Sequence, residues 1–473
     1  MFQQMLRRFM DEAPVCVAVH AVAERMLGEQ QLDELFRNHC RHQYESKLLF
    51  STLVQLISQV IVGARRSVHE AYRHARQDIA VSITAVYGKL NGLEPAIAQA
   101  VVRHSAAEVL AVAEHLSLPP PPLPGFETRI VDGNHLAATE HRLEELRHTR
   151  SGPLPGQCLV VLDPRRKLID DVIPCENGHA QERSLVGELL GRVRACQLWI
   201  ADRNFCTTKM LCGVVARGAY FLVRQHGSTL TWEPAGPWRA CGRCASGTLR
   251  EQPIRVLNPD GPPGPDGAGA GPAGPGQWMT VRRIELTLDT PTRDGDEQVF
   301  LLTNLPPEAA SPAKVADLYH QRWQVEGAFE ELTTALRCEV KTLGYPRAAL
   351  LAFCVALTAY NAVSLVRLAL SAVHGPEQVE TDVSFHQLAR EVAATGPGMR
   401  VAVPPRAWKV FVSMSVPAFG QTLIDLARRM DLRRYRKHPR GPKKKRPPRS
   451  HGRRHKHVAT AKLLAQRRTA DSS

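Results

Sequence analysis

Four consecutive prolines, Pro119–Pro122, with Pro124-Gly125 just behind them, divide this 473-residue chain into parts that must fold differently. Proline has no backbone N–H and a fixed φ, so neither a helix nor a central strand runs through such a run. Before the break, Leu48–Val62 and Ala106–Leu116 carry apolar residues three and four apart, and residues 1–120 read as a helical N-terminal domain. Beyond it the pattern shortens. Thr128–Val131, Cys158–Leu162 and Leu168–Ile173 read as strands, with Asp163-Pro164 turning between the last two. A helix over Gln181–Arg194 and a fourth strand, Leu198–Ala201, follow.

Three short strands, a helix and a fourth strand form the front half of a ribonuclease-H-like α/β sheet, although the spacing alone also fits other α/β folds. Residues 121–218 are assigned to that core. Residues 219–305 read as a β-rich insertion, with strands at Ala219–Val223, Ile284–Leu288 and Val299–Thr303. Within it, Asn258–Gly276 is dominated by Gly, Pro and Ala but breaks the Gly-X-Y period at once, which predicts a loop. Cys241-Gly-Arg-Cys244 has half the spacing of a zinc knuckle, but no second pair follows to complete four ligands, so two unliganded thiols are the simpler reading.

The core resumes over 306–375. Ser311 and Pro312 start a helix expected to run unbroken to Arg337. The apolar stretch Ala348–Val366 has the length of a membrane span, but Thr358, Tyr360, Asn361 and Ser364 interrupt it, so a buried helix and no membrane partner are expected. Residues 376–432 form a C-terminal helical region, with helix around Arg406–Arg429.

Charge is concentrated in the last segment, 433–473. From Arg433 to Lys456 the chain has thirteen Lys and Arg and no acid, against a formal net charge of +15 for the whole chain. The run includes Lys443, Lys444, Lys445 and Arg446, interspersed with proline and glycine, which predicts an extended segment. Each cation that neutralises a phosphate releases a counterion, so this tail suits sequence-independent binding of nucleic acid; a merely solubilising tail is the alternative. Eleven scattered cysteines and a polar Met1–Glu12 without a secretory signal point to a reducing cytoplasm.

Candidate chemistry sits at strand ends and on one helix. Asp132 closes the first strand and Asp202 the fourth, and in a ribonuclease-H-like topology those strands are neighbours. Two carboxylates meeting there suit a divalent cation, although Asp after a strand also simply begins turns. On the helix, Tyr319, Arg322, Glu326 and Glu330 share an arc of about 80° at about 100° per residue. Such a stripe fits a solvated face; it also fits a grip on a phosphodiester beside a metal ligand.

Three motifs carry a resemblance. Asp132-Gly133-Asn134-His135-Leu136, Trp199-Ile200-Ala201-Asp202-Arg203-Asn204-Phe205 and Tyr319-x-x-Arg322-Trp323-x-x-Glu326 are similar to the catalytic motifs of bacterial insertion-sequence DDE transposases of the type-four family, in the branch with a Tyr-Arg-Glu-Lys signature. The separations, 70 and then 124 residues, leave room for an inserted domain between the second Asp and the Glu. The resemblance implies that Asp132, Asp202 and Glu326 are catalytic and hold two Mg²⁺ ions, with Mn²⁺ as a substitute. It implies double-stranded DNA as partner, both the inverted repeats at transposon ends and target DNA, in a homodimeric synaptic complex within the bacterial nucleoid. Tyr319, Arg322, Arg203 and the basic tail would contact DNA, with the N-terminal helices reading the repeats. One position departs: Thr333 stands where the signature has Lys, and Arg337 is the residue on that face able to take over a phosphate contact. A catalytically silent DNA-binding protein descended from such an enzyme is the alternative.

Overall fold

The computed structural model describes residues 2–43, 47–259, 277–292, 295–438, 441 and 457–471. The predicted Gly/Pro-rich loop lies almost wholly outside the described residues, as do Lys443, Lys444, Lys445 and Arg446.

Twelve strands are described: β1 Glu127–His135, β2 Pro153–Leu154, β3 Gln157–Asp163, β4 Leu168–Cys175, β5 Gln197–Ala201, β6 Tyr220–Arg224, β7 Trp232–Pro234, β8 Arg239–Cys244, β9 Gly247–Asn258, β10 Gln277–Leu288, β11 Gln298–Thr303 and β12 Val458–Ala459. Ten of them make one sheet in the order β4-β3-β1-β5-β6-β11-β10-β9-β7, with β8 on β9; β2 and β12 pair apart from it. The β4–β3–β1 end is antiparallel, whereas β1–β5 and β5–β6 are parallel. The predicted β-rich insertion thus continues the main sheet: β11 adds antiparallel to β6, and β10 and β9 follow.

Strand alternation explains why the sheet is buried on both faces. Ile130, Val160, Leu162, Ile200 and Leu222 point into the larger apolar cluster, and Val131, Leu159, Val161, Trp199, Ala201 and Phe221 into the smaller one. The second face is covered by short helices at Val186–Leu190 and Thr208–Val215. The predicted Gln181–Arg194 helix is shorter than expected, a 3₁₀ turn at Glu182–Leu185 leading into Val186–Leu190.

The first face packs on the apolar helix, which runs from Pro346 to His374. This helix and Pro95–Ala113 are long and apolar enough to cross a membrane, but 94% of the former's most apolar window is buried inside the protein. Two of its polar residues, Thr358 and Asn361, are hydrogen-bonded. Asn361 accepts from the Ile169 backbone N–H at 2.8 Å and returns its amide to the Ile169 carbonyl at 2.9 Å, fixing β4 on the helix. Each such buried bond contributes about 1 kcal/mol net, and more is lost if one partner is orphaned.

The helices before the proline run, among them Pro14–Met26, Phe50–Ile61 and Pro95–Ala113, pack around Pro346–His374 in one continuous apolar core with the C-terminal helix Val416–Arg428. The expected helix over Arg406–Arg429 is two, Pro405–Ser413 and Val416–Arg428, meeting at a sharp bend. The Ser311 helix is also divided. Ser311 caps it as predicted, accepting from the Lys314 N–H at 3.3 Å, but it stops at His320, and a second helix spans Trp323–Ala335. Between them the backbone bonds are three residues apart, Gln321 N–H to Leu318 and Arg322 N–H to Tyr319, a tighter turn than α-helix.

Candidate active site

Strand register builds the first half of the site. Val131 lies opposite Ala201 in the parallel β1–β5 pair, so the next residues, Asp132 and Asp202, leave the same end of two adjacent strands. Asp132 accepts from the Gly133 N–H at 2.9 Å; Asp202 accepts from the Asn204 N–H at 2.8 Å, capping the 3₁₀ turn Arg203–Phe205. Both aspartates are half-buried. Burial is the main reason the Asp132 carboxyl is pushed up to about 7; Arg322 opposes that rise, and the charges of Asp202 and Glu182 add to it. Asp202 is raised too, chiefly by burial, against its backbone hydrogen bonds and the nearby Arg322 and Arg203.

Glu182 has no sequence motif to announce it. It opens the 3₁₀ turn after β4, and its carboxylate accepts from the Asn204 side-chain amide at 3.1 Å, so Asn204 links it to Asp202. It lies against Gly133, where an added Cβ would collide with its carboxylate, so glycine at that position makes room for it. Burial raises its pKa, with Asp202 adding to the effect.

The divided helix supplies the rest. The tight turn at Arg322 puts its guanidinium between two acids, Nη1 donating to Asp132 Oδ2 at 3.1 Å and Nη2 to Glu326 Oε1 at 2.7 Å. Arg322 is 8% exposed, and its Nε is buried without a hydrogen-bond partner. Its Cζ also lies 4.8 Å from the ring centre of Trp323, which is 54% exposed. Tyr319 packs beside it, and burial pushes its phenol up to about 12, with the Arg322 charge working the other way.

Asp132, Asp202, Arg322 and Glu326 are therefore gathered from β1, from the end of β5 and from the divided helix. Arg203 is exposed on the turn after Asp202. Arg337 is elsewhere: its Nη1 donates to the Arg65 carbonyl at 3.1 Å, joining the helix end to the N-terminal helices. Thr333 donates to its own helix at Phe329 O, 2.8 Å away. Tyr319, Arg322 and Glu326 lie together across the division at Gln321–Arg322, with Arg322 donating to Glu326; contrary to expectation, Arg337 does not share their face, because the second helix ends at Ala335 and Leu336 is extended.

Hard carboxylate oxygens on rigid strand ends fit a divalent cation in kind, and the mutual repulsion of Asp132, Asp202 and Glu182 leaves negative charge for one to neutralise. In arrangement, Arg322 fills the space between Asp132 and Glu326, and no three His, Cys, Asp or Glu side chains among the described residues are grouped to hold a metal.

The sheet thus carries carboxylates at the ends of two adjacent parallel strands, and a later helix brings a third acid to the arginine that pairs with the first. Residues 124–362, half of the chain, match the family model for the transposase DDE domain, and the protein belongs to that family. No curated protein matches the chain. Among solved structures, a piggyBac transposase in its synaptic complex with hairpin DNA, determined by cryo-EM, is similar at 12% identity over 84% of each chain, with a TM-score of 0.39. Transposases of the DDE family generally use divalent metal ions.

Proposed function

We propose that the chain is a DNA transposase whose Asp132, Asp202 and Glu326 form the catalytic triad of a ribonuclease-H-like core. The strand order β4-β3-β1-β5-β6, antiparallel and then parallel, supports that core. The observation carrying the reading is the adjacency of Asp132 and Asp202 on β1 and β5, with Glu326 reaching the same point through Arg322. The three acids would hold two Mg²⁺ ions, or Mn²⁺ in their place, which when bound supply charge stabilisation for in-line displacement at phosphorus.

The chain's own groups account for the remaining work. Asp132, with its pKa raised to about 7, must lose its proton before it serves as a ligand. Arg322 offers a planar fork to the phosphate of the strand being cut, and Tyr319 a hydroxyl donor kept neutral by burial. Trp323, exposed beside them, presents an aromatic face to a base or sugar. Arg203 and the basic tail would add backbone affinity, and the N-terminal helices would read the inverted repeats of double-stranded DNA. Cutting at the transposon end and joining to target DNA would proceed in a homodimeric synaptic complex, and an insertion-sequence enzyme of this kind would work in the bacterial nucleoid.

Incubation with Mg²⁺ or Mn²⁺ and duplex DNA carrying the repeats that flank the gene tests this: the wild-type protein nicks at the repeat end, and Glu326→Ala binds the DNA without nicking it. Nicking by Glu326→Ala at the wild-type rate would overturn the triad. The silent DNA-binding reading draws support from Thr333, which is turned into its own helix, and from Arg337, which is committed to Arg65. It predicts a gel shift without nicking for the wild-type protein itself.

A further inference from the structure

A guanidinium is the cation standing between two of the three acids assigned to catalysis. Arg322 donates to Asp132 Oδ2 at 3.1 Å and to Glu326 Oε1 at 2.7 Å, while its third nitrogen, Nε, is buried with no acceptor. A buried N–H left unsatisfied carries a desolvation penalty, so the bridge is an imperfect resting place for this side chain. The residue sits at the tight turn between Pro312–His320 and Trp323–Ala335, outside the regular hydrogen bonding of either helix.

We propose that Arg322 is a positioning residue that acts as a removable internal counter-ion: in the DNA-free protein it occupies the cation site between Asp132 and Glu326, and the phosphodiester of the bound strand draws it off. This rests on the reading above that these acids are the metal site. The exchange is chemically matched, because a guanidinium forks onto phosphate as readily as onto carboxylate. Once it leaves, Asp132 faces Asp202 and Glu182 with its main neutralising charge gone, and the attraction for a divalent cation grows. The strand and the metal therefore favour each other, and by linkage each raises the other's affinity by the same factor. A nuclease built this way loads its metal where its DNA is in place.

The test is Mn²⁺ binding to the full-length protein, measured by calorimetry or by the electron paramagnetic resonance of free Mn²⁺. It is run with and without saturating duplex carrying the gene's flanking repeats, with DNA-only controls. Wild-type protein should bind Mn²⁺ about tenfold more tightly with DNA present, within the usual range of coupling between two sites. Arg322→Ala should already bind tightly without DNA and gain less than about twofold on adding it. Arg322→Gln, which keeps hydrogen-bonding groups but not the charge, should follow Arg322→Ala and carries the test if the alanine variant fails to fold. Equal responses to DNA in wild type and Arg322→Gln, or weaker DNA-free binding in Arg322→Gln, would overturn the proposal. Asp202→Asn separates the two layers. If it abolishes Mn²⁺ binding while the arginine variants behave as wild type, the internal counter-ion is wrong and the metal site stands; if it binds Mn²⁺ as wild type does, both readings fall.

Discussion

Asp163, buried, and Asp132, half-buried, are aspartates on adjacent strands of one sheet, and they are treated in opposite ways. Asp163, at the end of β3, meets Arg166 at 2.5 Å and Arg129 at 3.6 Å and accepts from the Arg165 and Arg166 N–H groups. Nearby on β4, Asp171 is clasped by Arg103 and Arg192, each at 2.8 Å. At the other end of the sheet, Asp132, Asp202 and Glu182 crowd together, and the ion pair that Asp132 makes is with one arginine shared with Glu326. Acids that hold a fold together are neutralised by their own protein. Acids left under-neutralised beside one another are, in the function proposed above, the ones that take up a cation from outside.

That contrast can be broken first by stability. Asp163→Ala removes the shared partner of two guanidinium groups and should lower unfolding free energy by about 3 kcal/mol, as breaking a buried pair does. Asp132→Asn should change it by about 1 kcal/mol or less at neutral pH, because the charge removed is one the fold does not balance well. Equal losses in urea unfolding would erase the distinction between the two ends of the sheet.

The pH dependence sharpens it. Asp132 has a raised folded pKa, about 7, so the stability linked to its proton is fully present below the ordinary carboxylate range and is lost as pH rises through about 7. Wild-type unfolding free energy should therefore decline over that window relative to Asp132→Asn, in which the decline is absent. For the same reason Mn²⁺ affinity should increase as pH rises through neutrality, since the metal competes with that proton. A flat profile for both would remove Asp132 from the site. The smallest effect is expected from Glu182→Gln: with one neighbouring negative charge gone, the Asp132 pKa falls and the pH midpoint for Mn²⁺ binding moves lower.

The sequence made some of this legible because strands end where their apolar run ends. Asp132 and Asp202 could be found that way, and the parallel pairing of β1 with β5 follows once the strand order is assumed. Asn361 was legible as a buried helix residue, although its docking onto Ile169 was not. Other features depend on backbone detail that periodicity does not encode. The helix end at Ala335 has no proline or glycine to mark it, so the helix looks continuous to Arg337 and Arg337 looks aligned with Glu326, when it reaches Arg65 instead. Glu182 lies far from every motif and joins the site through topology alone. The β-rich segment was recognisable by composition, but its attachment to the β6 edge is a long-range pairing that no local pattern states.

The central claim is that Asp132 and Glu326, nearly two hundred residues apart, act as one catalytic unit. Its most direct measurement is the rate of metal-dependent nicking at the repeat end by Asp132→Asn, Glu326→Gln and the double variant, with DNA binding followed in parallel. Residues that act as a unit are strongly non-additive, so each single change should reduce nicking to background, the double should be no worse, and binding should persist in all three. Nicking retained by either single variant, or losses that multiply in the double, would contradict it.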